Sequence, residues 1–181
     1  MLIIFLLEER SMKEVLDVLL PQILPEDVLF KTIPHSGKSD LQQSIPRKLK
    51  AWNTPDTKFV IVQDQDSADC IDLKKRLLEL AAPSGREVLV RIACRELEAW
   101  YFGDLNAVSQ AYGKDLRNLA GKRKYRVPDL IGNPNPDKPE KFFAYPPRFK
   151  YNKEKCWRMC SCNLQINTLT RFMVQSLVMT T

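Results

Sequence analysis

The sequence predicts an α/β fold, a parallel sheet with helices on both faces. Leu2–Leu7 and Phe59–Val62 are unbroken apolar runs rich in branched side chains, which is how strands buried on both faces read. Val28–Ile33 and Glu87–Ile92 are further short runs of similar β-forming character. Between the four runs, apolar residues recur every three or four positions, the period of a helix with one buried stripe. Strand and helix therefore alternate, and alternation of this kind builds parallel sheets through helical crossovers.

The first strand, Leu2–Leu7, stops at Glu8 and Glu9. Ser11 and Glu14 have capping-box spacing, and Met12, Val15, Leu16, Leu19 and Leu20 form one stripe before Pro21, so a helix over 12–20 follows. After the strand Val28–Ile33, the polar loop Pro34-His35-Ser36-Gly37-Lys38 leads to Asp40, Leu41, Ile45, Leu49 and Trp52 at helical spacing. Pro46 removes a backbone donor, so this helix is expected to break or to restart after Ser44. Lys58–Gln63 is the third strand and runs into Asp64-Gln65-Asp66. Cys70, Leu73, Leu77 and Leu80 mark a helix that closes before Pro83-Ser84-Gly85. The fourth strand, Glu87–Ile92, leads to Cys94-Arg95-Glu96-Leu97-Glu98. Beyond about residue 120 the periodicity fades, and Pro128, Pro134, Pro136, Pro139, Pro146 and Pro147 exclude a long element. The expected organisation is an α/β core over 1–120 followed by a basic, proline-rich extension over 121–181 packed on the same domain.

With 181 residues, 44% hydrophobic and 28% charged, the chain is neither disordered nor fibrous in make-up. Leu2–Leu7 is far shorter than the roughly 20 residues of a membrane span. It also lacks the cationic flank and cleavage site of a secretory signal. A cytoplasmic location with no membrane association is expected, and the five cysteines then read as reduced thiols. Cys70 and Cys94 fall on apolar faces and read as core. Cys156, Cys160 and Cys162 are irregularly spaced without a nearby fourth ligand, a weak zinc pattern.

Open parallel sheets bind ligands outside the carboxyl ends of their strands. Three of those ends are acidic here, with Glu8 and Glu9 after the first strand, Asp64 and Asp66 after the third, and Glu96 and Glu98 past the fourth. Asp-x-Asp alone would read as a turn or a helix cap. Three acidic ends in one small sheet read better as one shared site, and clustered carboxylates suit Mg2+ or Mn2+ better than zinc. A cation so held stabilises charge on a phosphodiester or activates water, while a neighbouring glutamate moves a proton. Glu96 and Glu98, two residues apart, can serve together only where the chain is extended.

A glutamate after the first strand and Asp-x-Asp after the third resemble the Toprim fold of topoisomerases, primases and ATPase-associated nucleases. Ile33-Pro34-His35-Ser36-Gly37-Lys38-Ser39-Asp40-Leu41, Ser44-Ile45-Pro46-Arg47-Lys48-Leu49, Asp64-Gln65-Asp66-Ser67 and Arg91-Ile92-Ala93-Cys94-Arg95-Glu96-Leu97-Glu98 are similar to a bacterial Toprim-like family catalogued as a domain of unknown function, DUF4276, over about residues 2–133. The resemblance implies Glu8 as general acid/base and Asp64 and Asp66 as Mg2+ ligands, with Glu96 and Glu98 at a second metal position. It further implies a nuclease working with an ATPase partner in phage defence or DNA repair. Glu9 departs from the pattern, because Toprim sequences usually carry glycine there and a second carboxylate repels phosphate unless a metal binds it. That favours the alternative of a non-catalytic Toprim-like module that binds nucleic acid or a partner. A receiver-like signalling domain, with Asp64 accepting a phosphoryl group, lacks the lysine that should end a later strand.

His35 is the only histidine, which leaves no multi-histidine metal site. With Lys38, Arg47 and Lys48 it is expected to form a phosphate-facing rim, a solvated turn being the plain alternative. Gly37-Lys38-Ser39 is not the end of a P-loop, since no glycine stands at the upstream position that the motif requires. Arg95 suits a carboxylate or a phosphate, and Trp100, Tyr101 and Phe102 read as core. Residues 1–110 hold 14 basic and 17 acidic side chains, net −3, whereas 111–160 hold 13 and 5, net +8. Within the basic half, Lys122-Arg123-Lys124-Tyr125-Arg126 interleaves an aromatic with cations, which suits a DNA or RNA backbone. A solvated face is one alternative; docking on the acidic pocket of this chain or of a second copy is another, and it leaves a homo-oligomer open. If Lys122, Arg123, Lys124 and Arg126 contact phosphates, each lost contact flattens the slope of log affinity against log salt by roughly 0.7 to 0.9. A folded quadruple-alanine variant with an unchanged slope in a filter-binding salt series would assign the segment to one of those alternatives.

Overall fold

Four strands, β1 (Leu2–Leu7), β2 (Leu29–Pro34), β3 (Thr57–Asp64) and β4 (Val88–Ala93), form one parallel sheet in the order β2-β1-β3-β4. The computed structural model describes residues 1–97, 100, 105–113 and 115–123. The chain divides into two units, Met1–Ala93 and Cys94–Thr181, and the sheet lies in the first. Glu98, Lys124, Arg126, Cys156, Cys160 and Cys162 lie outside the described residues, as does the proline-rich stretch.

Strand β1 pairs with β2 on one side and β3 on the other, with Leu7 opposite Pro34 and Val62. Side chains alternate across the sheet, so the two faces can be read by parity. Ile4, Leu6, Phe59, Ile61 and Val90 meet Leu41, Ile45 and Leu49 of α2 (Lys38–Ala51) and Leu73, Leu77 and Ala81 of α3 (Cys70–Ala81). Trp52, just after α2, packs edge-on against Phe59 with ring centroids 5.9 Å apart. The opposite face carries α1 (Arg10–Ile23), which buries Met12, Val15, Leu16, Leu19 and Leu20. Thr32, opposite Phe5 in register, marks that face: its hydroxyl donates to Asp17 at 2.5 Å and accepts from Lys13 at 2.7 Å, both on α1. Helices therefore cover both faces, as the alternation predicts.

Three local expectations need correction. Helix α1 starts at Arg10 with Glu9 as N-cap, and the Ser11 hydroxyl donates to the Glu9 carboxylate. The capping box is not formed, because Glu14 is drawn instead to Arg10, 3.0 Å away. Helix α2 runs unbroken through Pro46. The proline leaves the Gln42 carbonyl without its helical donor, but Leu41, Ile45 and Leu49 are fully buried on one stripe, and that burial outweighs the defect. Cys70 is exposed rather than core, since it is the first residue of α3, where Asp69 accepts from the Ile71 and Asp72 amides at 2.8 and 3.0 Å.

In the second unit, α4 (Leu105–Tyr112) is followed by a short 3-10 turn over Arg117–Gly121. Leu105, Leu116 and Leu119 are buried there, and the Ser109 hydroxyl oxygen accepts from the Leu116 amide at 2.9 Å. Cys94 is half-buried. Among the described residues no helix is long and apolar enough to cross a membrane.

The unbroken α2 makes Pro46 a net cost to stability. Pro46→Ala should restore the missing donor and stabilise the fold by about 1–3 kcal/mol, the cost of an interior proline less the chain entropy it removes from the unfolded state. Urea unfolding of the two proteins measures this, and an equal or lower midpoint for the variant would count against it.

Candidate active site

The strand order reverses at β1, since β2 lies on one side of it and β3 on the other. In doubly wound sheets such a reversal opens a crevice at the carboxyl ends of the two central strands. Here those strands are β1 and β3, and the first polar residues beyond their buried cores are Glu8 and Gln63-Asp64.

Pairing continues past Leu7, because the Glu8 amide donates to the Val62 carbonyl at 3.2 Å. The Glu8 side chain then reaches across, and its Oε2 accepts from the Asp64 amide at 3.0 Å. Asp64, the last residue of β3, is buried, and Gln63 beside it is fixed by the Gln42 side chain of α2, which donates to it at 3.0 Å. The chain turns at once: the Gln65 amide donates to the Ala93 carbonyl at the end of β4, and Asp66 takes a left-handed conformation with φ of 52°. Aspartate tolerates that conformation better than most residues. The turn brings Asp66 to Lys38, the first residue of α2, with Nζ 3.2 Å from Oδ2.

Electrostatics single out Glu8. Burial pushes its carboxyl above the ordinary carboxylate range; the Asp64 amide opposes this, Asp66 and Glu9 add to it by repulsion, and Lys38 opposes it again. Three carboxylates thus sense one another around Glu8, and one ammonium offsets them in part.

The loop between β2 and α2 closes the other side. His35, expected on a phosphate-facing rim, is buried, and its Nδ1 lies 2.8 Å from the Leu7 carbonyl. Its Nε2 faces Ser44 Oγ and Lys48 Nζ of α2, each 2.6 Å away. Burial lowers the pKa of both His35 and Lys48. Of the other residues expected on that rim, Lys38 sits at the acidic pair, Lys48 turns its amine inward to His35, and Arg47 is exposed.

The remaining sequence candidates belong to the second unit. Arg95 has a left-handed backbone with φ of 59°, Glu96 is buried with its amide donating to the Cys94 carbonyl at 2.9 Å, and Lys122 and Arg123 are exposed.

A family model described as a domain of unknown function, DUF4276, matches residues 7–171. The chain belongs to that family. The match runs beyond the 2–133 covered by the sequence motifs and includes much of the second unit. No curated protein and no solved structure matches this DUF4276 chain.

The donors around Glu8 are hard carboxylate oxygens, the set that Mg2+ and Mn2+ take. Among the described residues, no three His, Cys, Asp or Glu side chains are gathered as a cation cage. Glu8 Oε2 is on the Asp64 amide and Asp66 is on Lys38, so both carboxylates are engaged within the chain.

The raised Glu8 carboxyl gives a pH dependence with a definite sign. Its folded form holds the proton more tightly than the unfolded chain, so its share of stability is full below the ordinary glutamate pKa and is lost as pH rises through the raised value. Glu8→Gln keeps an oxygen for the Asp64 amide and carries no charge. In EDTA its stability relative to wild type should therefore increase as pH rises from about 4 to about 7, the range above the ordinary glutamate value. Urea midpoints across that range test it, and a difference that is flat with pH would contradict it.

Proposed function

We propose that the β1/β3 crevice carries out metal-dependent phosphodiester chemistry on nucleic acid, as a Toprim-type nuclease. The observation that supports this most is the convergence of Glu8 with the Asp64–Asp66 turn at the reversal of strand order, with Glu8 Oε2 on the Asp64 amide. Glu8, Asp64 and Asp66 would hold Mg2+ or Mn2+, with Glu96 and Glu98 as further candidate ligands by sequence. A divalent cation supplies charge stabilisation at a phosphodiester and a more acidic water. Glu8 would serve as the general acid/base, and a carboxyl raised above its ordinary range suits that work. Lys38 lies 3.2 Å from the Asp66 carboxylate, and its ammonium would be available to a phosphate if a cation took its place there. The Toprim resemblance adds the expectation of an ATPase partner in defence or repair.

A second reading has its own support. Glu9 follows Glu8 where Toprim sequences usually have glycine, and Asp66 is already paired with Lys38. A non-catalytic module that binds nucleic acid or a partner would keep such a pair.

The two readings separate in one experiment. Purified protein, alone and with any co-purifying ATPase, should cut DNA or RNA in Mg2+ or Mn2+, and Asp64→Ala should lower the rate at least about 100-fold, as loss of an essential catalytic group does. Equal cutting by both proteins would assign the activity to a contaminant. Binding by both without cutting would establish the module reading.

A further inference from the structure

Glu8 lies just outside the sheet, where a side chain on a free chain end would sweep a wide cone. Its backbone is nevertheless held on both sides. The Glu8 amide is bonded to Val62, and the Glu8 carbonyl accepts from the Gly37 amide at 2.9 Å. Gly37 has φ of 97°, a conformation open to glycine and strained for other residues. One residue earlier, the Leu7 carbonyl accepts from the His35 amide at 3.0 Å and lies 2.8 Å from His35 Nδ1. Three bonds thus run from the 35–37 loop to two consecutive carbonyls at the exit of β1.

The imidazole makes this clamp continuous with α2. A carbonyl only accepts, so Nδ1 carries the hydrogen, and in the neutral ring Nε2 is left as an acceptor. It faces the Ser44 hydroxyl and the Lys48 ammonium, each 2.6 Å away. Ser44 and Lys48 are one turn apart, beside the buried stripe of Leu41, Ile45 and Leu49. The ring therefore joins the last carbonyl of β1 to a helix that the core holds in place.

We propose that His35 is a positioning residue that fastens the Leu7–Glu8 backbone to α2 and so aims the Glu8 carboxylate at the end of β3. The use to which Glu8 is put rests on the function proposed above; the clamp itself does not. His35 stands to Glu8 as the outer partners of a metal ligand stand to that ligand, and loss of such partners costs roughly 10- to 100-fold in metal affinity.

Three variants of the full chain test this. His35→Ala removes the ring donor. His35→Asn can place an amide N–H near the position of Nδ1, and His35→Gln places it one bond farther out, near Nε2. In hydrogen exchange, His35→Ala should speed the Asp64 and Gly37 amides by about 10-fold, the worth of one ordinary hydrogen bond, and leave the central amides of β1 and β3 unchanged. His35→Asn should return both amides to within about 3-fold of wild type, and His35→Gln should not. Mn2+ binding, followed by water proton relaxation, should weaken about 10-fold in the alanine variant and recover in the asparagine one. Should the alanine variant fail to fold, the contrast between asparagine and glutamine carries the same test.

Acceleration spread over all amides would reduce His35 to a core residue and overturn the proposal, as would no acceleration at Asp64 and Gly37. If wild type binds no Mn2+ and cuts nothing, the proposed function falls, and the exchange pattern still decides the clamp.

Discussion

The burial of β1 between two parallel neighbours constrains everything around it. Ile3 to Leu7 are fully buried, both edges of the strand are hydrogen-bonded, and helices cover both faces. A strand so enclosed has no room for a charge, so its first carboxylate must stand where the enclosure ends. That place is also where β3 ends, because the register sets Leu7 opposite Val62 and leaves Asp64 two residues farther on. A one-residue slip would invert every side chain of β1 and bury Glu8's neighbours on the wrong face. The acidic site is thus a consequence of the same register that fills the core.

The features legible in the sequence are those set by burial alone. Leu2–Leu7 and Phe59–Val62 could be read as strands because both of their faces are apolar, and the acidic residues after them follow by topology. Glu8, Asp64 and Asp66 come from segments more than fifty residues apart, and the fold brings their backbones to one edge of the sheet, whereas Glu96, expected with them, belongs to the second unit and Glu98 lies outside the described residues. Features set by competition between partners were not legible. Ser11 and Glu14 have capping spacing, yet Arg10 takes Glu14 and Glu9 takes Ser11, a choice among neighbours that spacing cannot decide. Pro46 reads as a break because propensity is local, whereas the three buried leucine and isoleucine side chains that override it find their partners across the sheet. Cys70 shares the helical spacing of Leu73 and Leu77 but stands at the helix start, before the stripe meets the core.

His35 shows the limit most clearly. In the sequence it sits among Pro34, Ser36, Gly37 and Lys38, a polar loop that reads as a phosphate-facing rim or, as the alternative, a solvated turn. Two facts outside that window bury it. The Leu7 carbonyl, at the end of a strand twenty-eight residues earlier, takes both the His35 amide and the ring Nδ1, and α2 presents Ser44 and Lys48 one turn apart to the other ring nitrogen. The one local sign was Gly37, whose left-handed backbone lets the loop turn back onto Glu8.

The site is also a place where favourable terms have been given up. Glu8 is partly desolvated beside Asp66 and Glu9, Asp66 has a left-handed backbone, and α2 carries a proline in its interior. Each lowers stability, and they lie within the elements that meet at one crevice. Among the described residues, Lys38 is the only one of the groups acting on Glu8 by charge that relieves the crowding, and as an exposed ammonium it does so weakly in water. A sequence free of functional demand would replace Glu8 or Glu9 with a neutral residue and keep the register, since the apolar burial of β1 does not need either carboxylate. Under the function proposed above, this crowding is the repulsion that a bound cation would offset. Within that proposal the Glu8 and Asp66 carboxylates would share a divalent cation, and the backbone beneath Glu8 is already held by the Val62 carbonyl and the Gly37 amide.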